Sequence, residues 1–185
     1  MTDFRVDELD QAYAALEKHN YEFARGVFDR AVKSGVHEAA LTLGWLSEQG
    51  FGGPKDLDRA RSLYETGLAH DRRLGAYYLG SLLRRTGQKE EARQLLEESA
   101  ALGHPSAAYW AYAMNSDAGN EQAARQLLVR AAQLGHAFAQ RDLARLEMRE
   151  AHSASKWLAA MRRYWVAKWS GMSFLVRDVN DPRAR

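Results

Sequence analysis

The chain has no cysteine and only three prolines in 185 residues. Without thiols it can form no disulfide scaffold, thiol nucleophile or thiolate metal site. With so few helix breakers, and with abundant Ala, Leu, Arg and Glu, the composition favours helix over sheet. No apolar run approaches the roughly eighteen residues of a spanning helix, so none is expected. The opening MTDFRVDELD has neither a basic segment nor an apolar core, so no secretory signal is expected and cytoplasm is the expected compartment. The length suits one compact domain or one short array of repeats.

The net charge of +2 conceals an asymmetry. Residues 151–185 carry seven Lys or Arg against Asp178 and Asp181, a net of +5, so residues 1–150 carry −3. Bulk charge therefore argues against a polyanion-binding body, and against nucleic acid as the partner.

What the chain does have is a repeat. The triplet Ala24-x3-Phe28-x2-Ala31 recurs as Ala60/Tyr64/Gly67, Ala92/Leu96/Ser99 and Ala124/Leu128/Ala131, at offsets of 36, 32 and 32. Small, large and small residues at i, i+4 and i+7 share one helix face and permit close helix approach. Gly35, Asp71, Gly103 and Gly135 follow each triplet at a constant offset, where a helix stop is expected. Small residues then return (Ala39, Gly75, Ala107, Ala139), followed four positions later by Leu43, Leu79, Ala111 and Leu143. Two helices per repeat, strung in series, predict an all-α solenoid.

The segment AALTLGWLSEQGFGGPKDLDRARSLYETG resembles a Sel1-like repeat, a relative of the tetratricopeptide repeat. Ala39, Leu43, Gly44, Gly50, Gly52, Asp56, Ala60 and Tyr64 match that family's pattern in register, while Ser47 and Arg59 replace its usual tyrosine and lysine. Asn20 to Val32 also resembles the second helix of a tetratricopeptide repeat. The resemblance implies a right-handed α/α superhelix of about four helix–turn–helix repeats, acting as a protein–protein scaffold with no catalytic residues. One repeat domain is expected over residues 1–176, with repeats at about 5–36, 37–71, 72–103, 104–135 and 136–170, and a flexible tail at 177–185.

No chemistry-bearing constellation stands out. The glycine-rich QGFGGPKD follows a helix, and Pro54 separates Gly53 from Lys55, so it reads as an inter-helix loop rather than a phosphate cradle. His104 and His136 sit one period apart in equivalent turns, and no metal-ligand spacing appears. No nucleophile has a base beside it. The expectation is a non-enzymatic chain with no catalytic, cofactor or metal residues.

The expected work is binding a peptide or protein. In such solenoids the first helix of each repeat usually lines the concave face. That register places Trp45, Tyr77 and Tyr109 in an aromatic row ending at Arg141, Arg145 and Arg149, which share one helix face and could clamp carboxylates. A solvated face, balanced by Asp142, Glu147 and Glu150, is the alternative.

The segment KWLAAMRRYWVAKW, Lys156 to Trp169, holds three of the five tryptophans. Ala160-x3-Tyr164-x2-Ala167 repeats the triplet once more, 36 residues beyond Ala124, so this is the second helix of a further repeat. Trp157, Met161, Trp165, Trp169 and Met172 mark an apolar interface on it. Leaving most of three tryptophans in water would forgo on the order of 10 kcal/mol as an upper bound. A turn at Gly171 that folds residues 171–176 back over the face is the first expectation. A partner or second copy comes next, then a membrane surface, which would make the chain a peripheral membrane scaffold docked through 156–176.

Overall fold

A computed structural model describes residues 6–175, with side chains from 7 to 169. Ten helices and no strand are present among the described residues. They are α1 (Val6–Glu17), α2 (Tyr21–Lys33), α3 (Ala39–Gln49), α4 (Leu57–His70), α5 (Arg72–Thr86), α6 (Lys89–Ala101), α7 (Pro105–Asp117), α8 (Glu121–Gln133), α9 (Ala137–Glu150) and α10 (Ala154–Leu175). Helices pair along the repeat, α1 with α2, α3 with α4, α7 with α8 and α9 with α10. Backbone contacts divide the chain after Gln88 into two compact units, α1–α5 and α6–α10. Within each unit successive helices pack on one another, and within the second α9 packs on α10 most extensively.

The triplet is the core of each pair. Ala24, Phe28, Ala31, Ala60, Tyr64, Ala92, Leu96, Ser99, Ala131 and Ala160 are fully buried, and Ala167 nearly so. The facing positions Ala39, Leu43, Ala107, Ala111 and Ala139 are buried too. The small residues are required by distance. A Cβ added at Gly44 would lie 2.6 Å from the Tyr64 ring, and one at Gly67 would lie 2.2 Å from the Leu41 side chain. At these two points α3 and α4 approach closely enough that only hydrogen fits.

The turns follow from their residues. Gly35, Gly103 and Gly135 adopt φ near +90°, closing α2, α6 and α8 in the left-handed region that glycine reaches without strain. Asp71 does something different at the same offset. It is extended and serves as the N-cap of α5, its carboxylate accepting the Leu74 N–H at 2.9 Å. Asp56 caps α4 likewise, accepting the Arg59 N–H at 2.9 Å.

The arginine that follows the triplet's first alanine acts as a staple in three repeats. Buried Arg25 donates to the Phe51 and Pro54 carbonyls at 3.3 Å, pinning the glycine-rich loop after α3. Arg61 reaches Gln88 beyond α5 at 3.2 Å, and Arg125 grips Glu150 at the end of α9 at 2.5 and 2.7 Å. Each ties a second helix to the end of the next repeat's first helix. Arg93 departs from this, pairing with Glu90 and Glu97 on its own helix. Because Arg25 packs against Gly53 and the Tyr21 backbone against Gly52, that loop is a packed connector, as its sequence suggested.

Two glycines with opposite surroundings test this account. Gly44→Ala should destabilise by roughly 1–3 kcal/mol, since the Tyr64 ring cannot retreat from a full core. Gly26→Ala, on an exposed face of α2 with nothing within 4 Å, should instead stabilise by about 0.5–1 kcal/mol. Urea midpoints of the two variants read both signs.

Candidate interaction site

The second unit holds most of the residues singled out for binding. Tyr109 on α7 is half-buried, and its hydroxyl donates to Asp142 Oδ2 on α9 at 2.9 Å. Its ring stacks on His136 with centroids 4.4 Å apart. Burial, reinforced by the bond to the Asp142 carboxylate, pushes the Tyr109 hydroxyl up to about 12. His136 caps α9, its Nδ1 accepting the Ala139 N–H at 3.3 Å, as His104 caps α7 through the Ala107 N–H at 3.2 Å. The paired histidines of the linkers are thus N-caps, a role their spacing could not reveal.

Asp142 gathers cations as well. Arg141 donates to it from Nε at 3.1 Å while lying over the Phe138 ring, 5.1 Å from its centroid. Arg145 lies 3.6 Å from the same carboxylate and donates to the Tyr164 hydroxyl of α10 at 3.2 Å. That bond, first among the causes, lowers the Tyr164 hydroxyl below its ordinary range. Arg149 is exposed and has no ion-pair partner among the described residues.

The expected arginine trio therefore divides. Arg145 and Arg149 line one groove of about 820 Å³, with Tyr112 and Ser116 of α7, Leu128 of α8 and Leu146 of α9. Arg141 does not line it and lies over the Phe138 ring. The aromatic row divides too. Trp45 sits half-buried at the edge of the first unit's core, edge-on to Phe51 at 5.2 Å, and Tyr77 lies beside Tyr78 at 5.4 Å. Tyr109 is taken up by its contacts to α9.

On α10 the apolar residues are in the open. Trp169 is 65% exposed, Trp165 46% and Trp157 44%, while Met161 is half-buried. The expected turn at Gly171 does not occur: α10 continues as helix through Leu175. Nothing intrinsic forbids this, because a single glycine inside a helix costs only about 1 kcal/mol against alanine. The side chain of Met172 and the residues from 176 onward lie outside the described residues. No helix among the described residues is long and apolar enough to cross a membrane.

Some interactions were invisible in the sequence. Glu48 is buried, yet its carboxylate accepts the Tyr64 hydroxyl at 2.7 Å and pairs with Arg85 across 37 positions. Pairing of this kind is what lets a carboxylate stay inside. No periodic signal marks such a partner. Among the described residues no group of three or more His, Asp or Glu could hold a metal ion.

Solved structures resemble this arrangement over nearly all of the chain. A protective antigen present in uropathogenic Escherichia coli strains, displaying an SLR fold, superposes with TM-score 0.72 at 17% identity, covering 88% of this chain. This chain spans only 38% of that one. A Sel1 repeat protein from Oxalobacter formigenes superposes with TM-score 0.72 at 18% identity, covering 90% of this chain and 70% of its own. The fold is that of the Sel1-like repeat proteins. MamA shares the helix-pair architecture more loosely, with TM-score 0.59 at 16% identity over 89% of this chain and 96% of its own. No family model matches the sequence, and no curated protein matches it. The Sel1-like fold accounts for the all-α solenoid class and for the match of Gly44 and Tyr64 to the repeat pattern, since those two residues make the close α3–α4 contact.

The His136 cap gives the Sel1-like fold a pH dependence. Burial pushes His136 from its ordinary 6.5 down to about 4, against a smaller opposing effect of Asp142. A depressed folded-state value favours the neutral ring, so its contribution is complete above about 6.5 and is lost as pH falls toward 4. His136→Asn keeps a capping side chain but cannot titrate. Its urea midpoint should therefore fall less between pH 7 and 4.5 than that of the natural chain.

Proposed function

We propose that the chain is a non-catalytic adaptor that holds an acidic peptide or protein segment in the groove between α7, α8 and α9. The groove itself carries this reading. Its volume of about 820 Å³ is of the size that seats several side chains. Arg149 offers a guanidinium with no ion-pair partner among the described residues, and Arg145 is held nearby by Tyr164 and Asp142. Tyr112 and Leu146 supply apolar wall beneath them; Glu121, Asp142 and Glu150 line the groove as well, Asp142 and Glu150 being paired with Arg141 and Arg125. A fixed and a free guanidinium above apolar surface suit a segment with carboxylates spaced along one side. The Sel1-like fold supports a scaffold of this general kind.

Peripheral attachment to a membrane through α10 is the second reading. The exposure of Trp157, Trp165 and Trp169 favours it. It uses a different face of the same unit and does not compete for the groove.

Affinity capture on the immobilised full chain, followed by identification of what binds and titration of the recovered segment, tests the adaptor reading. Arg145→Glu/Arg149→Glu should weaken that titrated binding by roughly a hundredfold or more, with the helical signal unchanged. Binding that survives both charge reversals would contradict the groove.

A further inference from the structure

The repeat supplies its own ruler for α10. Trp165 stands where the earlier second helices carry Asp29, Glu65, Glu97 and Val129, and Trp169 where they carry Lys33, Ala69, Ala101 and Gln133. Leu158 replaces Glu22, Asp58, Glu90 and Gln122, and Val166 replaces Arg30, Thr66, Glu98 and Arg130. Leu158 and Val166 are 54% and 63% exposed. Four outward positions, mostly polar or charged in the other copies, have thus become large and apolar together. The positions that elsewhere pack inward tell the opposite story. Where the earlier copies place Val27, Leu63, Leu95 and Leu127, α10 has Arg163, tied to Glu147 at 2.5 Å. The apolar gain lies on the outward face and not on the side a following repeat would cover.

Charge then narrows the occupant. α10 contains no Asp or Glu; its exposed cations Arg162 and Lys168 border the apolar residues, while Lys156 lies toward Glu147 and Glu150 of α9. Arg162 has no ion-pair partner among the described residues, and Lys168 lies 4.7 Å from the centre of the Trp165 ring. Two copies meeting face to face would set these cation rows against each other without a compensating acid. An anionic counterpart is favoured instead. Composition separates lipid from an acidic peptide. Arg162 and Val166 border a groove of about 650 Å³ toward α8 and α9, while Leu158, Trp165 and Trp169 do not line it. Exposed tryptophan beside lysine and arginine on a helix without acids is the composition that suits the headgroup boundary of a lipid surface.

We infer that α10 lies along an anionic lipid surface, with Leu158, Trp165, Val166 and Trp169 entering the interfacial zone and Arg162 and Lys168 meeting the headgroups. This rests on peripheral attachment through α10 and adds the chemistry of the surface. Indole rings favour the headgroup boundary, and each cation near an anionic surface strengthens binding by about fivefold.

The test is sedimentation of the full chain with vesicles of phosphatidylcholine alone and with about a quarter phosphatidylserine. The chain should bind the anionic vesicles, release partly at high salt, and bind neutral vesicles at least tenfold more weakly. Trp165→Glu/Trp169→Glu should reduce binding by roughly tenfold or more. Arg162→Glu/Lys168→Glu should remove the preference for phosphatidylserine; both pairs are exposed, so folding should survive. Equal binding to both vesicles would overturn the anionic-lipid assignment while leaving peripheral attachment standing. Binding to neither would overturn both. Capture of an acidic synthetic helix on this face, with no vesicle binding, would show the occupant to be protein and overturn the lipid assignment.

Discussion

Close approach of paired helices is the constraint on which the rest of the structure depends. It exists because the repeat reserves small residues for the places where two helices meet. Gly44 faces the Tyr64 ring and Gly67 faces Leu41 at distances that leave no room for a methyl group. One large residue per triplet, Phe28, Tyr64, Leu96 or Leu128, fills the space that remains. Backbone proximity lets short helices bury enough surface to persist, although helices of eleven to fifteen residues are marginal alone. The same proximity fixes the depth at which Glu48 sits, and so its need for both Tyr64 and Arg85.

A regular scaffold makes irregularities legible, and the second unit concentrates them. Its α9 carries Arg145 and Arg149 on one groove wall, while its α10 puts large apolar residues where the other copies are mostly polar. Tyr164 joins the two features. As the large residue of the last triplet it packs into the repeat, and its hydroxyl holds Arg145 at the groove. The scaffold's internal grammar and its candidate binding chemistry therefore meet in one side chain. Proteins built this way separate stability from function by position: the inward triplet maintains the array, and the outward and first-helix positions are free to specialise.

The periodic part of the molecule was legible in the sequence. The triplet, the linker glycines and the match of Gly44 and Tyr64 to the Sel1-like pattern foretold the helix pairs, because period and steric size are local properties. Three features were not. The histidine caps are acceptor roles that residue identity alone leaves open. The pairing of Glu48 with Arg85 is a contact across 37 positions with no periodic trace. The helix through Gly171 defeats a rule of thumb, because one glycine's helix penalty is small against the propensity of its neighbours. Where the expected ring positions point was not legible: whether Tyr109 lines a groove or packs on the next helix depends on side-chain direction, which spacing does not carry.

Hydrogen exchange on the full chain, with and without any protein segment recovered by affinity capture, tests the central claim most directly. If binding has been assigned to the specialised unit, partner-induced protection should fall on amides of α7, α8 and α9, while α1 to α4 exchange unchanged. Protection concentrated in α1 to α4, with α7 to α9 unaltered, would contradict it.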